Sequence, residues 1–216
     1  MEKLFEEFFD FATLISALKT IERYKGMFYW RDYPQLARDE SVADHSWRVA
    51  MLVLLFEKKL SQKIDVQKAL TMAVVHDLAE VLTGDMSPLG EDGTGKTTYA
   101  YDKNLKRQKF EKEKEAARNL FDKLPGEIGN KLFAVWLECE ERESYEAKVV
   151  KALDRIEAGL TIWELRRGHM FKAHLEFTVG YIMRGVTDSD EVVEKFGEYV
   201  CEKMRREWRE YKAKAS

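Results

Sequence analysis

Cysteine, proline, long apolar runs and an excess of either charge are all scarce in this chain, and each scarcity argues against a class of protein. Only Cys139 and Cys201 are cysteines, and neither lies in a CxxC or other metal-type spacing. A disulfide framework and a cysteine-bound zinc are therefore not expected, and a reduced, cytoplasmic setting is the default. No window approaches the roughly 18 consecutive apolar residues that a membrane-crossing helix needs. The stretch from Met1 to Glu7 shows no basic segment followed by an uninterrupted apolar one, so no secretory leader is expected. Lysine and arginine number 36 against 39 acids, a formal net charge of −3. Bulk attraction to nucleic acid or to an anionic membrane is thus absent, while a small anionic ligand at a local site stays open.

The composition is 45% hydrophobic and 35% charged with three prolines, which suits an all-α globular chain of one domain. Apolar residues recur at helical spacing over residues 2–24, with Leu4, Phe5, Phe8, Phe11, Ile15, Leu18 and Ile21 as the stripe. Residues 25–40 lose that period and collect aromatics with Arg31 and Arg38, an ordered loop that could stack on a base, grip a phosphate or simply pack on the core. A second helix starts at Ser41 or Asp44 as N-cap and is apolar nearly all round through Phe56, which predicts deep burial. His45 lies in its first turn.

A third helix begins near Asp65, runs through His76 and ends at Gly84. Residues 102–124, 127–140 and 145–167 read as further helices, the last with Val149, Leu153, Ile156, Leu160 and Trp163 as its stripe. Residues 138–146 read as an acidic surface stretch. One short and one long helix follow, the latter striped by Phe196, Val200, Met204, Trp208 and Tyr211. His169 and His174 have no acids grouped with them and read as bland.

Residues 90–97 satisfy the G-x-x-x-x-G-K-[ST] pattern of a phosphate-binding loop. The context is wrong, because that motif needs a strand feeding the loop and a helix opening from it. A flap beside the site is the better reading.

The chain is organised around residues 73–85. His76, Asp77, Glu80 and Asp85 follow one another in an otherwise apolar helical run, where ionisable groups are costly unless paired or bound to a metal. On one continuous helix Glu80 lies a turn beyond His76, so a single edge presents an imidazole and two carboxylates. A buried His-Asp ion pair is the bland alternative. His45 on the preceding helix and Asp154 on a later one extend the set to two imidazoles and two carboxylates, although Lys151, three residues before Asp154, could instead pair with it at the surface. Such mixed nitrogen and oxygen donors suit one divalent ion such as Co²⁺, Mn²⁺, Fe²⁺, Ni²⁺ or Zn²⁺ and leave room for water and substrate.

The order of these residues resembles the HD-domain metal phosphohydrolases. Glu40-Ser-Val-Ala-Asp-His45-Ser-Trp, then His76-Asp77-Leu-Ala-Glu80-Val-Leu-Thr-Gly-Asp85, then Ala152-Leu-Asp154-Arg-Ile-Glu157 resemble its 5′-deoxynucleotidase branch. The resemblance implies an HD-domain helical bundle, with a core over about residues 14–167 and C-terminal helices over 170–214 packed on it. It implies that His45, His76, Asp77 and Asp154 hold the metal and that Glu80 and Asp85 stand beside the scissile phosphate, where a carboxylate orients the water or protonates the leaving 5′-oxygen; of the two, Glu80 is favoured as the proton-transferring residue. It also implies a nucleotide substrate cleaved to nucleoside and phosphate, and a homodimer. In the bacterial enzyme of that branch an Arg-Trp pair ahead of the first histidine favours deoxyribose; here the pair is Trp30-Arg31, in reverse order. Another nucleotide substrate, such as a triphosphate, cyclic nucleotide or alarmone, and a non-enzymatic nucleotide-binding role are the alternatives.

Overall fold

The computed structural model describes residues 1–24, 39–90 and 92–215, and among these it is helical with no strand beyond one isolated bridge between Glu22 and Ser41. In chain order the helices are α1 (Glu2–Ile15), α2 (Val42–Phe56), α3 (Val66–Val75), α4 (Glu80–Thr83), α5 (Lys103–Phe121), α6 (Gly126–Glu141), α7 (Tyr145–Arg166), α8 (Lys172–Val186) and α9 (Glu191–Ala215), with a 3₁₀ turn Ser16–Lys19 after α1.

Local chemistry sets most of these ends. Ser41 and Asp44, the two N-cap candidates for α2, act together: the Ser41 hydroxyl accepts from the Asp44 N–H while the Asp44 carboxylate accepts from Ser41, a capping box. Asp65, Asp102 and Ser144 cap α3, α5 and α7 with side-chain oxygens that take first-turn amides otherwise left without partners. Beyond α7, Gly168 sits at φ +85°, and a Cβ there would come within 2.4 Å of the Glu207 carbonyl oxygen. A larger residue is refused on both counts.

α7 is the axis of the bundle. Val149, Val150, Leu153 and Ile156 are fully buried, and α2, α3, α6, α8 and α9 all pack on this helix. Burying each such side chain stabilises the fold by about 1.5–3 kcal/mol. A second apolar cluster gathers Val75, Leu78, Ala79, Ala117, Leu120, Phe121 and Trp136 between α5 and α6. The end of α3 bridges the two clusters, for Ala73 belongs to the first and Val75 to the second.

Several expectations change. The helix expected to run unbroken to Gly84 stops at Val75, and His76–Ala79 continues as tight turns, with Leu78 N–H donating to Val75 O at 3.1 Å and Glu80 N–H to Asp77 O at 3.0 Å. Trp136 Nε1 donates to the His76 carbonyl at 2.9 Å, which satisfies a group the helix no longer uses. The first helix ends at Ile15 rather than near Tyr24, and α1 buries no residue. α2 is half buried rather than surrounded, since Trp47 is 66% and Leu55 65% exposed.

The 138–146 stretch is not a free acidic surface. Glu138 and Glu146 bind Lys68 at 2.8 and 3.1 Å, and Glu140 binds Lys151 at 2.8 Å. The C-terminal stripe packs inward, with Val200 and Met204 buried and Trp208 Nε1 donating to Met170 O at 2.8 Å.

Candidate metal centre and cavity

His45 from the first turn of α2, His76 and Asp77 from the corner after α3, and Asp154 from the middle of α7 converge on one point. His45 Nε2 lies 3.2 Å from His76 Nε2, 3.4 Å from Asp77 Oδ2 and 3.3 Å from Asp154 Oδ1, and His76 Nε2 lies 3.2 Å from Asp77 Oδ2. Each imidazole is anchored by its other nitrogen: His76 Nδ1 donates to Ala73 O at 3.0 Å and His45 Nδ1 to the Glu157 carboxylate. With Nδ1 protonated on both rings, two Nε2 lone pairs and two carboxylates face one another, an arrangement that repels itself unless a cation stands among them.

The electrostatics point the same way. Although burial and Arg23 push the His45 imidazolium down, Glu157 and Asp154 prevail and raise it to about 9. The pocket draws in positive charge, a proton if nothing else. Burial raises Asp77, but His76 and His45 hold it well below the usual carboxylate range, and Lys151 and His45 do the same for Asp154 against its own burial. The donor set fits a divalent cation. The expected Lys151–Asp154 pair exists at 3.5 Å, yet both residues are buried, so it steadies the site rather than the surface.

Behind His45 lies a layer that the spacing of the motif residues did not single out. Glu157 is fully buried and accepts from Arg48 Nε at 2.8 Å, Arg23 Nη1 at 3.2 Å and Thr161 Oγ1 at 3.1 Å besides His45. Glu40 joins Arg23 at 3.5 Å and Arg48 at 3.2 Å, and burial together with Glu157 pushes its carboxyl up to about 7. The available signal was position: Glu157 follows Asp154 by one turn on the same inward face of α7.

In front of the four donors opens a cavity of about 350 Å³, within the small-molecule range. Asp77, Asp154, Glu80 and Asp85 line one end, while Tyr99, Phe110 and Tyr181 supply aromatic walls. Glu80 is buried and its Oε2 has no hydrogen-bond partner among the described residues. Burial first, then Asp77 and Asp85, raise its pKa well above the ordinary value. Asp85 Oδ2 accepts the Tyr24 N–H at 3.2 Å, and burial raises this carboxyl too. Lys109 reaches the same wall, paired with Glu113.

The model of the HD domain matches residues 15–195 of this chain. The chain belongs to the HD-domain family. It is 32% identical over 165 residues to the 5′-deoxynucleotidase HDDC2 of Dictyostelium discoideum, a match covering 74% of this chain and 78% of that one. To the 5′-deoxynucleotidase HDDC2 of Homo sapiens it is 30% identical over 148 residues, covering 68% of this chain and 63% of the human one. The chain thus spans less than two thirds of the length of the human relative. In fold it matches the crystal structure of a predicted metal-dependent phosphohydrolase from Magnetospirillum magnetotacticum, with a TM-score of 0.71, 23% identity, and coverage of 94% of this chain and 96% of that one.

Two other sequence candidates fall outside this HD-domain centre. Trp30 and Arg31 lie outside the described residues. Residues 90–97 do not form a phosphate-binding loop. Turns rather than a strand precede them, the next helix opens only at Lys103, and Gly95 packs on the Phe177 ring. Lys96 is exposed and does not line the cavity; from this segment's end Tyr99 does, its hydroxyl donating to Met86 O at 3.0 Å. Both cysteines are free and buried, and no helix among the described residues is long and apolar enough to cross a membrane.

Proposed function

We propose that this HD domain, read as one unit over the whole chain, removes the 5′-phosphate from deoxynucleoside or nucleoside 5′-monophosphates, giving nucleoside and inorganic phosphate. The observation that carries the reading is the facing of two imidazole lone pairs and two carboxylates at the floor of a nucleotide-sized cavity. The activity printed for the Dictyostelium and human relatives supports it. In this reading His45, His76, Asp77 and Asp154 hold one divalent ion, with Co²⁺ and Mn²⁺ suited to the donors. Such an ion supplies positive charge to phosphoryl oxygens and lowers the pKa of a water.

The chain's own residues do the rest. Glu157 fixes the ring of His45 and its tautomer. Glu80, kept protonated by burial and by its acidic neighbours, hands its proton to the leaving 5′-oxygen as the P–O bond breaks and the water oxygen bonds to phosphorus. Asp85, tied to the Tyr24 amide, stands beside it to orient the water. Tyr99 and Phe110 take the base.

We place the enzyme in a reducing compartment, in keeping with two free buried thiols. We also place it in a homodimer, through the exposed apolar side chains Phe5 and Phe9 of α1 and Trp47 and Leu55 of α2. Light scattering that shows a monomer at micromolar concentration refutes the dimer.

The test is phosphate release from dAMP, dGMP, dTMP, AMP and dATP by metal-stripped protein resupplied with Co²⁺, Mn²⁺, Mg²⁺ or Zn²⁺ in turn. Metal-dependent release from the monophosphates is expected, lost to background in Asp77→Ala with the helical circular dichroism retained. Intact monophosphates under every metal overturn the reading.

A further inference from the structure

Charge matching around the cavity leaves a remainder. Of the acids on its wall, Glu113 holds Lys109, Glu140 holds Lys151, Asp77 and Asp154 face the imidazoles, and Glu80 and Asp85 make no ion pair among the described residues. Arg23 is spent on Glu40 and Glu157. Arg155 and Lys106 also line the cavity, and among the described residues neither makes an ion pair or a side-chain hydrogen bond.

Arg155 is nonetheless held in place. It follows Asp154 on α7, its guanidinium lies over the Tyr181 ring at 4.1 Å, and its stem packs so closely on Gly185 of α8 that a Cβ there would come within 2.2 Å of Arg155 Cγ. An arginine fixed by an aromatic face has lost its freedom without gaining a hydrogen-bonded acid, since the neighbouring Asp154 feels its charge but is turned to His45 and Lys151. Its fork of donors is therefore ready for a planar or tetrahedral anion. Lys106 sits in the same field, its ammonium pushed below the ordinary value by burial and by the nearby Arg142, Arg155 and Lys151. Uncompensated positive charge beside the metal donors is completed by an anion.

We propose that Arg155, with Lys106 beside it, forms a phosphoryl-binding subsite of the cavity, one that takes the phosphate of the nucleotide presented to His45, His76, Asp77 and Asp154. The proposal rests on the nucleotidase reading for the identity of its ligand, and on the cavity geometry for its place. The arginine fork binds two phosphoryl oxygens, Lys106 adds a point charge, and Tyr181 covers one face of the guanidinium and holds it in place.

The experiment uses the full chain loaded with Co²⁺ and titrates inorganic phosphate by calorimetry, alongside Co²⁺ affinity and the kcat and KM for dAMP. In Arg155→Met the phosphate Kd should rise about tenfold to a hundredfold, the effect of deleting a charged hydrogen-bonding group. KM for dAMP should rise in step while Co²⁺ affinity stays at the wild-type value. Lys106→Met, on the outward part of α5 where the residue as a whole is exposed although its ammonium turns to the cavity wall, should give a smaller rise in both. Arg155→Lys, which keeps the charge and loses the fork, should fall between wild type and Arg155→Met. Phosphate binding unchanged in both methionine variants overturns the subsite, as does a loss that tracks weakened Co²⁺ binding, or wild-type protein that takes up no phosphate. If no monophosphate is hydrolysed at all, the phosphate titration still judges the subsite, so the two readings fail separately.

Discussion

Two sets of buried carboxylates lie on opposite sides of His45, and the protein treats them in opposite ways. Behind the ring, Glu157 meets an imidazole, two guanidiniums and a hydroxyl, and these hold it ionised well below the usual carboxylate range despite complete burial. In front, Glu80 is almost as buried, but it meets Asp77 and Asp85 instead of donors and is driven toward its protonated form. Burial is common to both, so the neighbours decide. One carboxylate is thereby held charged and the other pushed toward its neutral form, and in the proposed reaction these become a fixed anchor and a proton store.

The sharpest way to break this contrast is Glu80→Gln. It removes the proton and keeps the shape, so kcat should fall about 10²–10⁴-fold with Co²⁺ affinity unchanged. The pH profile carries the sign. A raised pKa keeps Glu80 protonated at low and neutral pH, so activity that depends on the proton is present below that pKa and falls as pH rises through it. An alkaline limb that persists unchanged in Glu80→Gln would sink the assignment.

A smaller effect is expected behind the ring. Glu157→Gln leaves His45 without a charged acceptor, and Co²⁺ affinity should drop about 10–100-fold, while kcat at saturating metal stays within a few fold of wild type. Equal affinity for the two proteins in a competition titration would show that the anchor is dispensable.

The smallest effect tests whether an ionised carboxylate wrapped in donors matters only to the fold when it lies far from the cavity. Asp190 accepts from Ser61 N–H at 2.8 Å, Ser61 Oγ at 2.6 Å, Tyr145 OH at 2.6 Å and Val192 N–H at 2.8 Å. Against its partial burial these donors lower it to about 2 from the ordinary 3.8. Asp190→Ala should lose about 1–3 kcal/mol of stability to urea at neutral pH, with phosphate release at 25 °C unaffected. Because the folded pKa is the lower one, the stabilisation is present above pH 3.8 and disappears as pH falls through about 2. The variant and wild type should therefore converge in acid, and a difference that survives there would place the effect elsewhere.

His76 and Asp77 stood out in the sequence because ionisable residues in apolar helices carry a strong penalty, and the family resemblance joined His45 and Asp154 to them as proposed metal donors. Helix caps were readable too: Ser41, Asp44, Asp65, Asp102 and Ser144 act locally. Glu157 stands in the stretch that carries the resemblance, but its role was hidden for the opposite reason. A glutamate on a long helix ordinarily faces water, and the partners that make its burial tolerable, Arg23 and Arg48, lie 134 and 109 residues away in the chain. The exposed faces of α1 and α2 were also out of reach, since periodicity shows which residues share a side and not what covers it.

By itself the sequence determined that the chain is helical and where most helices begin, because caps and periodicity are local properties, while the grouping of His45, His76, Asp77 and Asp154 rested on the family resemblance until the folded chain brought them together. Tertiary structure alone decided the break after Val75. Residues 76–79 contain no glycine or proline to end a helix, yet the corner forms because Trp136 takes the His76 carbonyl and Leu78 and Ala79 drop into the second apolar cluster. The same packing decided which carboxylates are charged. A pKa inside a protein is set by the groups brought within a few ångströms of it, and only the folded chain brings them there.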